Sequence, residues 1–104
     1  MNPIKVMVNG IPGNMAQVVA NHVLADERFE LIPYSLTGPE ITISEHTIGA
    51  SVIQLIRPEQ RGEEISEIIE KYTSFISIDY THPTAVNINA EFYCNNLLPF
   101  VMGT

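Results

Sequence analysis

The sequence predicts an α/β fold, a parallel sheet with helices on both faces, on the strength of two observations. Strand-like and helix-like periodicity alternate along the whole chain, with no repeat and no Ser- or Gly-rich linker between them. A glycine-bearing turn joins the first strand-like segment to the first helix-like one. At 104 residues, 45% of them hydrophobic, the chain suits one domain with a buried core.

The first third of the chain is predicted to form a βαβ unit. The segment Ile4–Asn9 has strand-like alternation and ends at Gly10. A helix is predicted from Met15 to Ala25, and Phe29–Ser35 is predicted to be the second strand. The helix carries one apolar stripe that we expect to face the core: Met15, Val18, Val19, His22 and Val23.

The middle of the chain continues the alternation. Ile41–Ile56 is rich in β-branched residues with Gly49 near its middle, which predicts one or two short strands, of which Ser51–Ile56 is the better defined. Arg61–Tyr72 is predicted to be a helix whose glutamates at 63, 64, 67 and 70 face water. Its core-facing residues are expected to be Ile65, Ile68, Ile69 and Tyr72.

The last third predicts a strand, a helix and a short strand. Phe75–Asp79 is the strand, Thr84–Asn96 the helix, and Pro99–Met102 the short strand that runs into Gly103. The helix should bury four residues at helical spacing: Val86, Ala90, Tyr93 and Leu97.

Charge and composition exclude several classes of function. Acidic residues outnumber basic ones by 12 to 5, so nucleic acid is not an expected partner. No apolar run approaches the ~20 residues that span a membrane, and a cytoplasmic location is expected. His22, His46 and His82 lack metal-ligand spacing, so no metal site is expected. The single cysteine, Cys94, is interpreted as a packing residue rather than a nucleophile.

The strongest local signal is the turn Gly10-Ile11-Pro12-Gly13-Asn14-Met15, which stands between a strand and a helix. Glycines let a backbone approach a pyrophosphate closely, and a helix N-terminus offers free N–H groups to it. The pattern departs from G-x-G-x-x-G, because Pro12 replaces the central glycine and Ala16 stands in the third position. A tight turn with no ligand is the alternative. Gly13→Val should abolish dinucleotide binding with little loss of secondary structure, because a side chain there would occupy the space that the pyrophosphate needs.

A second candidate lies at the end of the second strand, a little over ~20 residues past the glycine turn, where NAD enzymes place an acid against the ribose. Ser35 and Thr37 stand there instead, and Glu40 comes too late in the sequence. Hydroxyls tolerate a 2'-phosphate, which favours NADPH over NADH. No Arg or Lys in this segment can pair with that phosphate, however, and both residues are equally typical of a turn.

A third polar cluster, Ile78 to Pro83, follows a buried strand, at the edge where open parallel sheets bind ligands. Helix capping is an equal alternative: Thr81 or Thr84 can serve as the cap and Asp79 as a turn acceptor.

Together these segments resemble one family. VNGIPGNMA, IDYTHPTAVNINAEFYCNN and LPFVMGT are similar, in order, to the G-x-x-G-x-M-[GA], D-[FY]-T-x-P and [IV]-x-G-T-T-G motifs of dihydrodipicolinate reductase. The likeness covers nearly the whole chain and is closer to the plant and cyanobacterial branch.

The resemblance implies an NAD(P)-binding Rossmann domain over residues 1–104, the N-terminal part of a reductase, with the sheet incomplete at its C-terminus and the substrate domain downstream. Gly10 to Met15 should wrap the pyrophosphate and Ser35 to Thr37 should lie by the adenosine ribose. Tyr80 and Thr81 should approach the nicotinamide side, and Gly103 and Thr104 match the start of the G-T-T-G loop. No catalytic residue is carried over, because the family's E-x-H-H-x-x-K-x-D stretch belongs to the second domain.

The activity implied is NAD(P)H-dependent reduction of 4-hydroxy-tetrahydrodipicolinate in the diaminopimelate route to lysine, by an enzyme that is a homo-oligomer at full length. The chain alone should bind cofactor weakly and turn nothing over. Plastid stroma is the expected location for a plant protein. A non-catalytic relative that acts in organelle complex assembly is one alternative function, and another Rossmann oxidoreductase is a second.

Overall fold

The computed structural model describes residues 2–80 and 86–103. Seven strands and three α-helices alternate in the described chain, and a short 3-10 turn, Pro58–Gln60, precedes the second helix. The elements are β1 (Ile4–Asn9), α1 (Asn14–Ala25), β2 (Phe29–Leu31), β3 (Tyr34–Leu36), β4 (Glu45–Ile48), β5 (Ser51–Ile56), α2 (Arg61–Tyr72), β6 (Ile76–Asp79), α3 (Val86–Asn95) and β7 (Phe100–Met102).

The strands form two hydrogen-bonded sheets. The larger has the order β2-β1-β6-β7 and is parallel throughout. The smaller has the order β3-β5-β4, with β3 and β5 parallel and β4 antiparallel at the edge. Helix α1 packs on one face through one hydrophobic cluster, and α2 and α3 pack on the other through a second cluster. The predicted class, a Rossmann-like parallel sheet with helices on both faces, is confirmed.

Pro33 divides the segment that the sequence predicts as a single second strand. Ile32 donates its backbone N–H to Val6 in β1 at 2.8 Å, but Pro33 has no N–H with which to continue that ladder. Its carbonyl accepts from Gln54 in β5 at 2.9 Å instead. The prediction of one strand over Phe29–Ser35 is therefore wrong: β2 pairs with β1, and β3 pairs with β5.

Several predicted elements occur where expected. The bounds of β1, β5 and α2 match the prediction, and the stretch before β5 contains a second strand, β4. Gly49 and Ala50 join β4 to β5 as a two-residue hairpin, and Gly49 has φ of 58°, a conformation that favours glycine.

The apolar stripe predicted for α1 is right for Val23, which is buried, and for Val19, which packs half-buried against the core, and wrong for the other three residues. Met15 and Val18 are 57% and 49% exposed and His22 is exposed, whereas Ala16 and Ala20 are fully buried with Val23. Small side chains let the helix lie close to the sheet, so the helix turns its alanine face inward. The pattern of large apolar residues pointed to the adjoining face.

In α3 the sequence prediction holds for Tyr93, which is fully buried, and fails for Leu97. The helix ends at Asn95, and Leu97 lies beyond it with φ of 56° and 89% exposure. Leu98 takes the buried position instead. Thr84, where the sequence predicts the helix to begin, and the side chain of Val86 lie outside the described part of the chain.

Candidate dinucleotide site

Three loops meet at the carboxyl edge of the larger sheet. Asn9, the last residue of β1, is in register with Asp79, the last residue of β6. The backbone N–H of Tyr80 donates to Asn9 at 3.0 Å, and that of Gly103 donates to Asp79 at 2.8 Å. The glycine turn, Tyr80 and Gly103 thus share one edge, as the sequence predicts.

The glycine turn is a tight structure fixed by its own backbone. Gly10 has φ of 104°, and the N–H of Gly13 donates to the carbonyl of Gly10 at 2.8 Å. A Cβ at Gly13 would lie 2.9 Å from that same carbonyl oxygen. A side chain at Gly13 would therefore require the turn itself to shift, and the expectation that Gly13→Val loses little secondary structure stays a prediction.

Helix α1 begins directly after the turn and has no side-chain cap. Gly13 is its N-cap residue, and its first turn carries no acidic side chain. The amino end of a helix presents unpaired N–H groups and a partial positive charge. Here that end is at the surface, since Asn14 and Met15 in the first turn of α1 are exposed. A diphosphate is a group that fits an uncapped, unblocked end of this kind.

Ser35 and Thr37 are buried, and both hydroxyls are engaged within the fold. The Ser35 hydroxyl oxygen accepts from the Ile11 N–H at 3.2 Å and so supports the glycine turn. The Thr37 hydroxyl donates to the Ile56 carbonyl at 3.3 Å. Because Ser35 and Thr37 are 0% and 3% exposed, neither hydroxyl can reach a 2'-phosphate directly in this conformation, and their place beside the ribose stays a prediction.

Gln17 and His46 form a side-chain connection to the turn that sequence reasoning missed. The amide of Gln17, in the first turn of α1, donates to the Pro12 carbonyl at 2.6 Å, and its oxygen lies 3.2 Å from Nε2 of His46 on β4. His46 is isolated in sequence but not in the fold. No local pattern signals this contact, since 29 residues separate the two side chains.

A buried polar network ties the ends of β1 and β6 to α3. The Tyr93 hydroxyl accepts from Nδ2 of Asn9 at 2.9 Å and donates to the Asp79 carboxylate. Oδ1 of Asn9 in turn accepts from the Leu36 N–H at 2.8 Å. All three side chains are fully buried. Burial, together with the neighbouring Asp79 carboxylate, raises the pKa of Tyr93 well above its ordinary value.

The network extends to the start of α2. Nδ2 of Asn89 donates to Asp79 at 3.3 Å, and the Arg61 guanidinium donates to Oδ1 of Asn89 at 2.9 Å. Arg61 also lies over the Phe92 ring, 4.2 Å from its centroid, and burial lowers its pKa. The sequence interpretation treats Tyr93 as a core residue only. The i, i+4 spacing of Asn89 and Tyr93 is the one signal that places both on the same face of α3.

Gly103 lies against the ring of Tyr80. A Cβ at position 103 would overlap that ring, so only glycine fits without moving Tyr80. Thr81, Thr104 and His82 lie outside the described residues, and their predicted roles are untouched by this geometry.

Two further expectations concern metal and thiol chemistry. Within residues 2–80 and 86–103 no three His, Cys, Asp or Glu side chains come together as a metal site. Cys94 is exposed, so its interpretation as a packing residue is wrong. It follows the buried Tyr93 by one residue in α3 and lies at the surface.

No helix in the described part of the chain is both long and apolar enough to cross a bilayer.

Comparison with known proteins shows which family this chain resembles. Residues 4–104 match the family described as dihydrodipicolinate reductase, N-terminus. A similar protein is 4-hydroxy-tetrahydrodipicolinate reductase 2, chloroplastic, of Arabidopsis thaliana, which is 38% identical in a match that covers 99% of this chain and 29% of that protein. Another is the probable 4-hydroxy-tetrahydrodipicolinate reductase 2, chloroplastic, of Oryza sativa subsp. japonica, 34% identical over 95% of this chain and 30% of the relative.

The chain thus spans about three tenths of the length of these relatives. The residues matched by the family, 4–104, include the glycine turn, the end of β6 and the end of β7. The chain belongs to the dihydrodipicolinate reductase family, and it matches the family's N-terminal part.

Proposed function

We propose that this chain is the NAD(P)H-binding domain, residues 1–104, of a 4-hydroxy-tetrahydrodipicolinate reductase of the diaminopimelate route to lysine. The observation that carries the proposal is the shared carboxyl edge, where the uncapped start of α1 lies beside Tyr80 and Gly103. Family membership supports it.

In this proposal Gly10 to Met15 surround the pyrophosphate. Pro12 has no N–H to offer, and the N–H groups of Ile11 and Gly13 are engaged with Ser35 and Gly10. The diphosphate is therefore held chiefly by the N–H groups of Asn14 and Met15, at the positive end of α1. Ser35 acts through the turn that it supports.

The nicotinamide end of the cofactor lies toward Tyr80, Thr81, Gly103 and Thr104. The bound nicotinamide supplies the hydride, while the protein contributes position and electrostatics. Gly103 keeps the Tyr80 ring against the sheet edge, which leaves one defined surface for the cofactor. Reduction of the substrate requires the downstream region that the E-x-H-H-x-x-K-x-D motif marks in the family, so the present chain alone should not turn over.

The proposal also covers the choice between NADPH and NADH, the oligomeric state, the partners and the cellular compartment. NADPH is preferred over NADH, the full-length enzyme is a homo-oligomer, and its partners are the dinucleotide and a small substrate rather than nucleic acid or a membrane. A plastid or cytoplasmic compartment accords with the chloroplastic names of the plant relatives.

The sharpest test places an acid at the start of α1. Met15 is 57% exposed in the first turn, and Val18 is 49% exposed three residues further on. Met15→Glu should weaken NADPH binding by about tenfold or more, because a carboxylate beside the pyrophosphate repels it. Val18→Glu has the same change of charge and should stay within about twofold of the wild type. Fluorescence titration of NADPH measures both.

Equal affinity of Met15→Glu and wild type would overturn the assigned phosphate site. A coupled synthase assay that follows NADPH absorbance tests the rest of the proposal. Cofactor oxidation by this chain alone, dependent on the pathway intermediate, would contradict the placement of the catalytic groups downstream.

A further inference from the structure

Sheet pairing brings Arg57 beside the predicted ribose end of the site. Leu36 at the end of β3 is in register with Ile56 at the end of β5. The backbone N–H and the hydroxyl of Thr37 both donate to the Ile56 carbonyl, at 2.9 and 3.3 Å. The next residue after Ile56 is Arg57, so this cation follows its strand at the same edge where Thr37 follows β3.

The other four cations of the sequence are engaged elsewhere. Their partners are the Tyr72 carbonyl for Lys5, Asp26 for Arg28, Asn89 and the Phe92 ring for Arg61, and the Tyr72 ring for Lys71. Arg57 is therefore the cation that the fold places next to the end of β3.

The guanidinium of Arg57 is only weakly held. Its Nε lies 3.2 Å from Oε1 of Glu59, and the two side chains are 40% and 60% exposed. The contact lacks hydrogen-bond geometry. Within the described chain the Nε atom of Arg57 is covered from solvent and therefore has no hydrogen-bond partner. An exposed ion pair contributes little, so a phosphate can replace Glu59 at small cost.

An acid stands at the same end of the site. The Ile41 N–H donates to the Gly38 carbonyl at 3.2 Å, and this turn folds Glu40 back. Its carboxylate lies against Gly38, in the space that a side chain there would occupy. Glu40 is thus closer to the strand end than its place in the sequence predicts. A carboxylate accepts hydrogen bonds from a ribose 2'-hydroxyl and repels a 2'-phosphate.

We propose that Arg57 is the residue that binds the 2'-phosphate of NADPH, and that Glu40 opposes it and limits the selectivity. The inference rests on the proposed function, since it assigns one end of the same cofactor site. A guanidinium pairs with phosphate in a two-pronged, charge-assisted geometry that an amide cannot reproduce.

The test compares dissociation constants for NADPH and NADH across matched variants. Arg57→Gln should weaken NADPH binding by about tenfold and leave NADH within about twofold. Arg57→Lys should retain part of the preference, because it keeps the charge and loses the planar fork. Glu40→Gln should strengthen NADPH binding and not NADH binding. Arg28→Gln makes the same charge change as Arg57→Gln on an exposed pair away from the site, and should alter neither.

Thermal unfolding of each variant shows that it is folded before affinities are compared. If the wild type binds both cofactors and Arg57→Gln leaves the ratio of their affinities unchanged, the role of Arg57 is refuted and the proposed function stands. If the wild type binds neither, the proposed function fails, and this inference with it.

Discussion

Tyr93 shows how one buried hydroxyl can hold a ligand site in shape without touching the ligand. It contacts Asn9, which immediately precedes the glycine turn, and Asp79, which immediately precedes Tyr80. A single side chain of α3 therefore sets the distance between the two loops that are proposed to hold opposite ends of the cofactor. Both partners are fully buried, so the loss of either hydrogen bond to Tyr93 should lower the free energy of unfolding substantially.

Removing that hydroxyl should destabilise the fold. We expect Tyr93→Phe to lower the free energy of unfolding by ~1 to 3 kcal/mol, because the Asn9 amide and the Asp79 carboxylate each lose a buried hydrogen bond. Urea unfolding measures the change. Tyr72→Phe, on a half-buried ring outside this network, is the control and should cost much less.

The wild type and Tyr93→Phe should also differ in how their stability depends on pH. The pKa of Tyr93 is raised in the folded state, so its contribution to stability is fully present below its unfolded pKa of about 10 and is lost as the pH rises above it. Wild-type stability should therefore fall more steeply than that of Tyr93→Phe between about pH 9.5 and 11. Parallel pH profiles would contradict the buried, protonated hydroxyl.

At the scale of elements, the start of α1 is stabilised from outside the helix. Gln17 reaches back to the Pro12 carbonyl and across to His46 on β4, so the helix, the turn and the edge hairpin form one unit. The absence of a side-chain cap at Gly13 is consistent with a helix end left open for a ligand.

We expect Gln17→Ala to lower the free energy of unfolding by about 1 kcal/mol, although alanine is a better helix former than glutamine. Asn21→Ala is the matched control on the same helix. Among residues 2–80 and 86–103 its side chain bonds only the Gln17 carbonyl, on the exposed surface, so its loss should be neutral or slightly stabilising. Equal effects of the two substitutions, in chemical denaturation, would show that the contacts of Gln17 with the turn contribute nothing.

For the whole molecule, cofactor binding and stability are linked. A ligand that binds only the folded chain adds RT ln(1 + [L]/Kd), or ~2.7 kcal/mol at 100 times Kd. NADPH should therefore raise the unfolding midpoint of the wild type. At the same concentration it should protect Met15→Glu much less, whereas Val18→Glu should respond like the wild type. Equal protection of all three would place the cofactor away from α1.

The chain carries a net charge of -7, yet its proposed ligand is a polyanion. The proposed site reconciles the two, because it places the helix N-terminus and Arg57 at one edge, while α2 with its glutamates packs on the other face of the sheet. Under this proposal, local geometry rather than net charge decides binding.

The sequence by itself determined the α/β class, the bounds of β1, β5 and α2, and the meeting of the glycine turn with Tyr80 and Gly103. These follow from periodicity and from the rule that parallel strands end at one edge, and both are local or general. The resemblance to the family's motifs predicted the ligand, NAD(P)H.

Tertiary structure alone decided which groups stand beside that edge. Pro33 moves the chain from one sheet to the other, and the alanine face of α1 takes most of the place of the predicted stripe. Thr37 bonds to Ile56, the residue before Arg57, across 19 residues of sequence. Asn9, Asp79 and Tyr93 likewise form their network over up to 84 residues. Such contacts depend on sheet pairing and packing, to which local patterns are blind because their period covers only a few residues.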